Sequence, residues 1–171
     1  MKRMVSSAKV RRARLSDLES LAKMKYDGDV FHSNLPIWPP ECDMDEAMRG
    51  MKKHLADRKN PIFIAVAPSG EPVGFASTSI DNRETVHEEY RTVGTIVLMF
   101  VGEKWRGHGL GRALVSACVA HFKAKGVVQL TLRSVVGNEL SERFWDSMSF
   151  EPKIYGRSTT VKKAEARLKK G

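Results

Sequence analysis

The sequence predicts an α/β domain, with helices and strands mixed in the α+β manner, and three observations predict it. A chain of 171 residues, 42% hydrophobic and 29% charged, is long enough to bury one core and too charged to lie within a membrane. Its apolar residues change period along the chain, giving the order β, two helices, three strands, helix, strand, helix, strand. No internal repeat or low-complexity linker interrupts that order, so residues 1–171 read as a single domain with a basic arm over 1–9 and a basic tail over 162–171. Both runs read as solvated charge or a helix face.

Val10 and its basic neighbours form a short first strand, and Ser16-Asp17 caps a helix whose Leu18, Leu21, Ala22 and Met24 follow helical spacing. The stretch Ser33-Asn-Leu-Pro-Ile-Trp-Pro-Pro40 breaks regular structure. Asp43 with Glu46 then matches a capping box for a second helix, with Met44, Met48, Met51 and Leu55 as its apolar stripe. Residues 61–67 and 72–80 are β-rich, and the turn chemistry of Pro68-Ser69-Gly70-Glu71 joins them as a hairpin. After a polar stretch over residues 81–91, Thr95-Ile-Val-Leu-Met-Phe-Val101 is apolar without alternation, as a strand covered on both faces would be. It is expected to be the most buried strand. A helix over about residues 109–125 follows, with Leu110, Leu114, Ala117, Cys118 and Phe122 on one face and Gly126 ending it; residues 127–132 then alternate as a strand. Asn138 caps a last helix with Leu140, Phe144 and Met148 every four residues, and residues 150–161 read as a final strand or hairpin.

The formal charge of +9 suits a polyanionic partner of any kind and does not choose among them. Cys42 and Cys118 alone cannot build a disulfide framework or a four-cysteine zinc site. No signal-like segment opens the chain and no apolar run reaches the roughly 18 residues of a membrane span. A cytoplasmic protein without a membrane partner is expected.

The chemistry concentrates in Glu103-Lys-Trp-Arg-Gly-His-Gly-Leu-Gly-Arg112, between the apolar strand and its helix. Glycines at 107, 109 and 111 leave backbone amides uncrowded at a helix N-terminus, where free N–H groups and the helix dipole favour an anion, and Arg106 and Arg112 add positive charge. A dinucleotide fingerprint would need glycine at 112, and a P-loop would need Gly-Lys-Ser/Thr; neither is present.

With these residues the chain resembles the GNAT superfamily of acyl-CoA-dependent N-acetyltransferases. Its pyrophosphate signature, Arg/Gln-x-x-Gly-x-Gly/Ala, is matched by Arg106, Gly109 and Gly111, and a second pattern is similar to Asn138-x-x-Ser141-x-x-Phe144-Trp145-x-x-x-Ser149-Phe150. The resemblance implies a central mixed, mostly antiparallel sheet of about six to seven strands flanked by about four helices. It implies acetyl-CoA as acyl donor, no metal, and direct transfer to a primary amine in a ternary complex. The backbone near Met99, Phe100 and Val101 would pair with the pantetheine arm, and the turn from Arg106 through Gly107, His108, Gly109, Leu110 and Gly111 to Arg112 would hold the pyrophosphate. Asn138, Phe144 and Trp145 would approach the cofactor, the first two at its thioester end.

Two positions depart from the family pattern. Relatives often carry Tyr where this chain has Trp145, and an indole is no proton donor, so packing is the better use of that ring. A closing Gly is replaced by Ser149. Tyr90 and Tyr155 are substitutes for the phenol only in principle, and a thiol of pKa about 8.5 leaves tolerably without an acid. A neutral amine requires a base, for which Asp81, Glu84, His87, Glu88 and Glu89 are candidates. Glu89 is preferred, because a two-residue period puts it on the face of Thr95, where some relatives carry a glutamate. His108 and His121 are assigned no acid–base or metal role.

In relatives the segments corresponding to residues 26–59 and 81–91 shape the acceptor site, where this chain offers Trp38 and the methionine stripe. Nothing separates a protein N-terminus, a lysine, a polyamine, an aminoglycoside or an amino acid as acceptor, and monomer and homodimer stay open. The rival reading is a non-catalytic acyl-CoA-binding or nucleic-acid-associated module. Against nucleic acid stands the lack of aromatic–basic interleaving or a helix-turn-helix signal.

Overall fold

A computed structural model describes residues 8–35, 43–83, 91–153, 159 and 161–169. Strand β1 (Lys9–Arg12) leads through a single 3-10 turn into α1 (Leu18–Ser33), and α2 (Met44–Ala56) packs on α1. Asp17 stands at the N-cap of α1, but its carboxylate does not cap. It takes two hydrogen bonds from the Arg11 guanidinium at 2.8 Å and one from Arg14 N at 2.7 Å, tying β1 to the helix entrance. Asp43 does cap α2, accepting from Asp45 N and Glu46 N at 2.7 and 3.2 Å.

The hairpin of β2 (Ile62–Val66) and β3 (Pro72–Asn82) forms as the turn residues require, and β4 (Thr92–Val101) pairs antiparallel with β3. Helix α3 (Leu110–Ala124) is the crossover to β5 (Gln129–Leu132), which runs parallel to β4, because parallel neighbours need a connection of that length. The sheet order is β1-β2-β3-β4-β5. Helices α4 (Glu139–Ser147) and α5 (Val161–Leu168) complete the described chain.

Alternation along the strands divides the core in two. Ile62, Ile64 and Phe75 turn to α1 and α2, meeting Leu21, Ala22, Ala47 and Met51. Ala65, Ala76 and Ile96 turn to α3 and α4, meeting Leu114, Val115, Cys118, Phe122 and Trp145.

Besides the cap at Asp17, and Met44, which is exposed at the start of the α2 stripe, four further expectations change. The described residues hold five strands and five helices, against six to seven and four. Residues 151–153 carry no regular structure, residues 154–158 and 160 lie outside the description, and the basic tail forms α5, whose Lys, Ala, Glu, Arg and Leu are good helix formers. The most buried strand is β3, not β4: Val73 to Thr78 are buried without a break, on the stretch that β2 flanks, whereas β4 is buried only at Val93, Gly94 and Ile96. Leu140 is 48% exposed, because the buried side of α4 is taken by Trp145, edge-on to Phe144 and Phe150 with centroids at 4.9 and 5.2 Å. Finally, Ser149 takes φ +62°, the left-handed backbone that explains a glycine at this position of the pattern.

No helix among the described residues is long and apolar enough to cross a membrane.

Candidate active site

The site begins where β4 loses a neighbour. Pairing with β5 runs from Val93↔Gln129 to Ile96↔Leu132 and ends there, while β4 continues to Val101 beside β3. At that point the register with β3 slips: Ser77 faces Leu98 and Thr78 faces Ile96, so Val97 bulges and is 41% exposed. The Ser77 hydroxyl accepts from Leu98 N at 3.1 Å and satisfies the amide that the slip disturbs. Met99, Phe100 and Val101 therefore present one strand edge with no β5 partner, half-buried between the two layers.

That edge runs into the glycine turn. A 3-10 turn over Glu103–Trp105 reverses the chain, and Gly107 and Gly109 then take φ +74° and +82°, conformations that a side chain would strain. The first backbone bond into α3 is Ala113 N to Gly109 O at 3.0 Å, and Gly109 supplies no side-chain cap, so the amides of Leu110, Gly111 and Arg112 have no helical acceptor. A Cβ on Gly107 or Gly109 would meet nothing within 4 Å, so the turn opens outward and has room for a bulky anion. Gly111 is small for another reason: a Cβ there would stand 3.0 Å from Phe144 Cε2 and 3.2 Å from Met99 Cε. That packing ties α4 to the turn and to the strand edge.

The turn's side chains divide by exposure. Leu110 is buried and anchors α3; His108 and Arg112 are exposed. Arg106 is half-buried, donates from Nε to Val101 O at 3.0 Å, and lies with its guanidinium carbon 5.5 Å from the centre of the Phe31 ring.

Asn138 is the N-cap of α4, buried, with Oδ1 accepting from Ser141 N at 3.1 Å and Nδ2 standing 3.4 Å from His32 Nε2. The structure thus brings Met99, Gly111 and Phe144 together, joins Arg106 to Val101, and sets Trp145 behind Phe144 in the core. Glu89 lies outside the described residues, as do Glu84, His87, Glu88, Tyr90, Tyr155, Cys42 and Trp38. Asp81 is exposed at the far end of β3. Cys118 is fully buried and its thiol is pushed up to about 12 by burial, so it is no thiolate at neutral pH. Among the described residues no cluster of metal-ligating side chains occurs.

Phe31 and His32 are the site neighbours that sequence reasoning passes over. They end α1, just before a proline-rich break, and no local signal links them to Arg106 or to an asparagine 106 residues away. Burial pulls the His32 imidazole below its ordinary pKa, with Asp29 acting in the opposite direction.

The sequence profile of the Acetyltransferase (GNAT) family matches residues 28–150. The chain is 31% identical over 134 residues to an aminoglycoside N(6')-acetyltransferase type 1 of Stenotrophomonas maltophilia, a match that spans 78% of this chain and 80% of that protein. Among solved structures, the BH1408 protein of Bacillus halodurans, as a tetramutant, aligns with a TM-score of 0.75 at 16% identity, covering 90% of this chain and 99% of that one. The aminoglycoside N-acetyltransferase AAC(6')-Iy in complex with CoA aligns with a TM-score of 0.71 at 21% identity, covering 92% and 98%.

Proposed function

The chain belongs to the GNAT acetyltransferase family, and from that premise we propose that it moves an acetyl group from acetyl-CoA to a primary amine by direct attack in a ternary complex. One observation carries the reading: β4 continues from Val97 to Val101 without β5 beside it and leads straight into a turn of uncapped, outward-facing amides. Acetyl-CoA supplies an activated acyl thioester. Three parts of that molecule have a matching feature. The amides of residues 107–112, with Arg106 and Arg112, suit the pyrophosphate; the free edge at Met99, Phe100 and Val101 suits the amides of pantetheine; Asn138 and Phe144 border the far end. Nothing crowds the open side of Gly107 and Gly109, so the residues present fit the group.

An amino sugar is the acceptor to try first. The identity to an aminoglycoside acetyltransferase supports it, and so does local charge. In a chain of net +9, Asp81, Glu84, Glu88 and Glu89 stand within nine residues, a sequence suited to a polycationic substrate.

The test is release of free thiol from acetyl-CoA against a panel of amines: neamine, spermidine, a lysine peptide, a peptide with a free N-terminus, and free amino acids. Amine-dependent release, strongest with neamine, is expected. Release independent of any amine, or none with the whole panel, would overturn the reading.

A further inference from the structure

We propose that His32 is the group that takes the proton from the acceptor's ammonium, an inference that rests on the acetyl-transfer reading above. The last turns of α1 run along the open side of the site. A Cβ on Gly28 would lie 3.5 Å from Phe100 Cδ2, Phe31 lies under the Arg106 guanidinium, and His32 meets Asn138. The last turns of α1 therefore reach the strand at Phe100, the glycine turn at Arg106 and the N-terminus of α4, and the imidazole stands at the last of these.

Its protonation state follows from the Asn138 amide. Oδ1 is held by Ser141 N, so the atom facing His32 is Nδ2, which can only donate. Nε2 must then present its lone pair and the ring proton must reside on Nδ1, since a protonated ring would set N–H against N–H. The 3.4 Å contact is at the long end for a hydrogen bond, and an ammonium can replace it. The charged and polar groups around the ring agree with a neutral imidazole. From its own helix comes Asp29, already paired with Lys25 Nζ at 2.6 Å. From α4 comes the uncharged Asn138, and from the turn Arg106, a cation beside Phe31. Burial of the ring keeps it below its ordinary pKa.

In the step itself the ammonium gives one proton to His32 Nε2 and the freed nitrogen lone pair forms the C–N bond at the thioester carbonyl. The C–S bond breaks, the departing sulfur takes the second proton of the nitrogen, and the imidazolium returns its proton to water. Glu89 is the sequence-based alternative for the same proton.

His32→Gln keeps an acceptor for Asn138 and cannot titrate near neutrality. With acetyl-CoA and neamine as the probe acceptor, it should lower kcat at least about a hundredfold and abolish the acid limb of the pH–rate profile. CoA affinity by calorimetry should stay within about twofold, a combination that a purely structural role would not produce. Nitrogen-15 NMR of the unmodified full chain at pH 7 should show His32 neutral with its proton on Nδ1. An active wild-type chain whose His32→Gln variant keeps its rate and acid limb, an Nε2–H ring, or an acid limb removed by Glu89→Gln alone would overturn the proposal. A wild-type chain with no amine-dependent turnover instead removes the transfer reading and this inference with it.

Discussion

Strand β4 is built from one apolar sequence and behaves as two. In its first half Val93 and Ile96 are 1% and 3% exposed, with β3 on one side and β5 on the other. In its second half the same kind of residues continue, Val97 is 41% exposed, and among the described residues one edge has no strand partner because β5 stops at Leu132. The side chains do not make this difference. The neighbour's length makes it, and on the proposed reading the paired half is the base from which the free half offers backbone groups to the cofactor.

If the paired half is the structural one, perturbing the packing behind it should change stability and leave cofactor binding alone. The largest such effect is expected from alkali. The Cys118 thiol is pushed up to about 12 when folded, against about 8.5 for an exposed thiol. Because the folded value is the higher, its contribution is complete below about pH 8.5 and is lost as pH rises toward 12, by up to about 1.4 kcal/mol per pH unit. Urea titrations should show a loss of about 2 to 3 kcal/mol by pH 10.5, and Cys118→Ala should flatten that slope. Gly94 comes next. A Cβ there would stand 2.7 Å from Phe122 Cδ1, on a ring that is itself fully buried, so Gly94→Ala should cost about 2 kcal/mol by overpacking. Its CoA affinity should be unchanged in the folded protein; a loss of affinity equal to the loss of stability would erase the distinction between the halves.

The free half answers to the opposite test. Gly109→Asp adds a carboxylate where the pyrophosphate is proposed to lie, on a backbone at φ +82° that aspartate tolerates better than most residues. Acetyl-CoA affinity by calorimetry should fall at least about tenfold, roughly 1.4 kcal/mol, while the fold persists. Unchanged affinity in a folded variant would remove the turn from the binding site. A smaller effect of the other sign is expected at the end of α4, where relieving the left-handed Ser149 by Ser149→Gly should raise stability by about 1 kcal/mol without altering turnover.

How much of this was legible depends on the range of the interaction. Caps and turns are local, and Asp43, Asn138, Pro68-Ser69-Gly70-Glu71 and the glycine run announce themselves. The identity of the central strand does not. Ser77 and Thr78 make β3 look half-polar, yet both are fully buried, with Thr78 Oγ1 donating to Pro61 O at 2.7 Å and Ser77 Oγ accepting from Leu98 N. A hydroxyl satisfied by a distant backbone cannot be told from a solvated one by pattern. The end of β5 and the approach of His32 to Asn138 are long-range in the same sense, and the proposed site depends on both.

The smallest expected change concerns the cysteines, and it bears on how the free half is used. A covalent acyl-enzyme needs a nucleophile activated by a neighbouring base. Cys118 faces the core behind the paired half of β4, its thiol is protonated at neutral pH, and it is buried in one cluster with Leu114, Val115 and Phe122. Cys42 precedes Asp43, whose carboxylate would raise a thiol pKa. Neither thiol is suited to attack, whereas an amine freed of its proton needs only a donor held at a strand edge. Cys42→Ser combined with Cys118→Ala should therefore keep most of the turnover, and initial-rate lines for varied amine and acetyl-CoA should intersect, as a ternary complex requires. Parallel lines with a trapped acetyl-cysteine would mean that the free half loads an enzyme group first, and the division between a structural and a binding half of β4 would no longer account for the reaction.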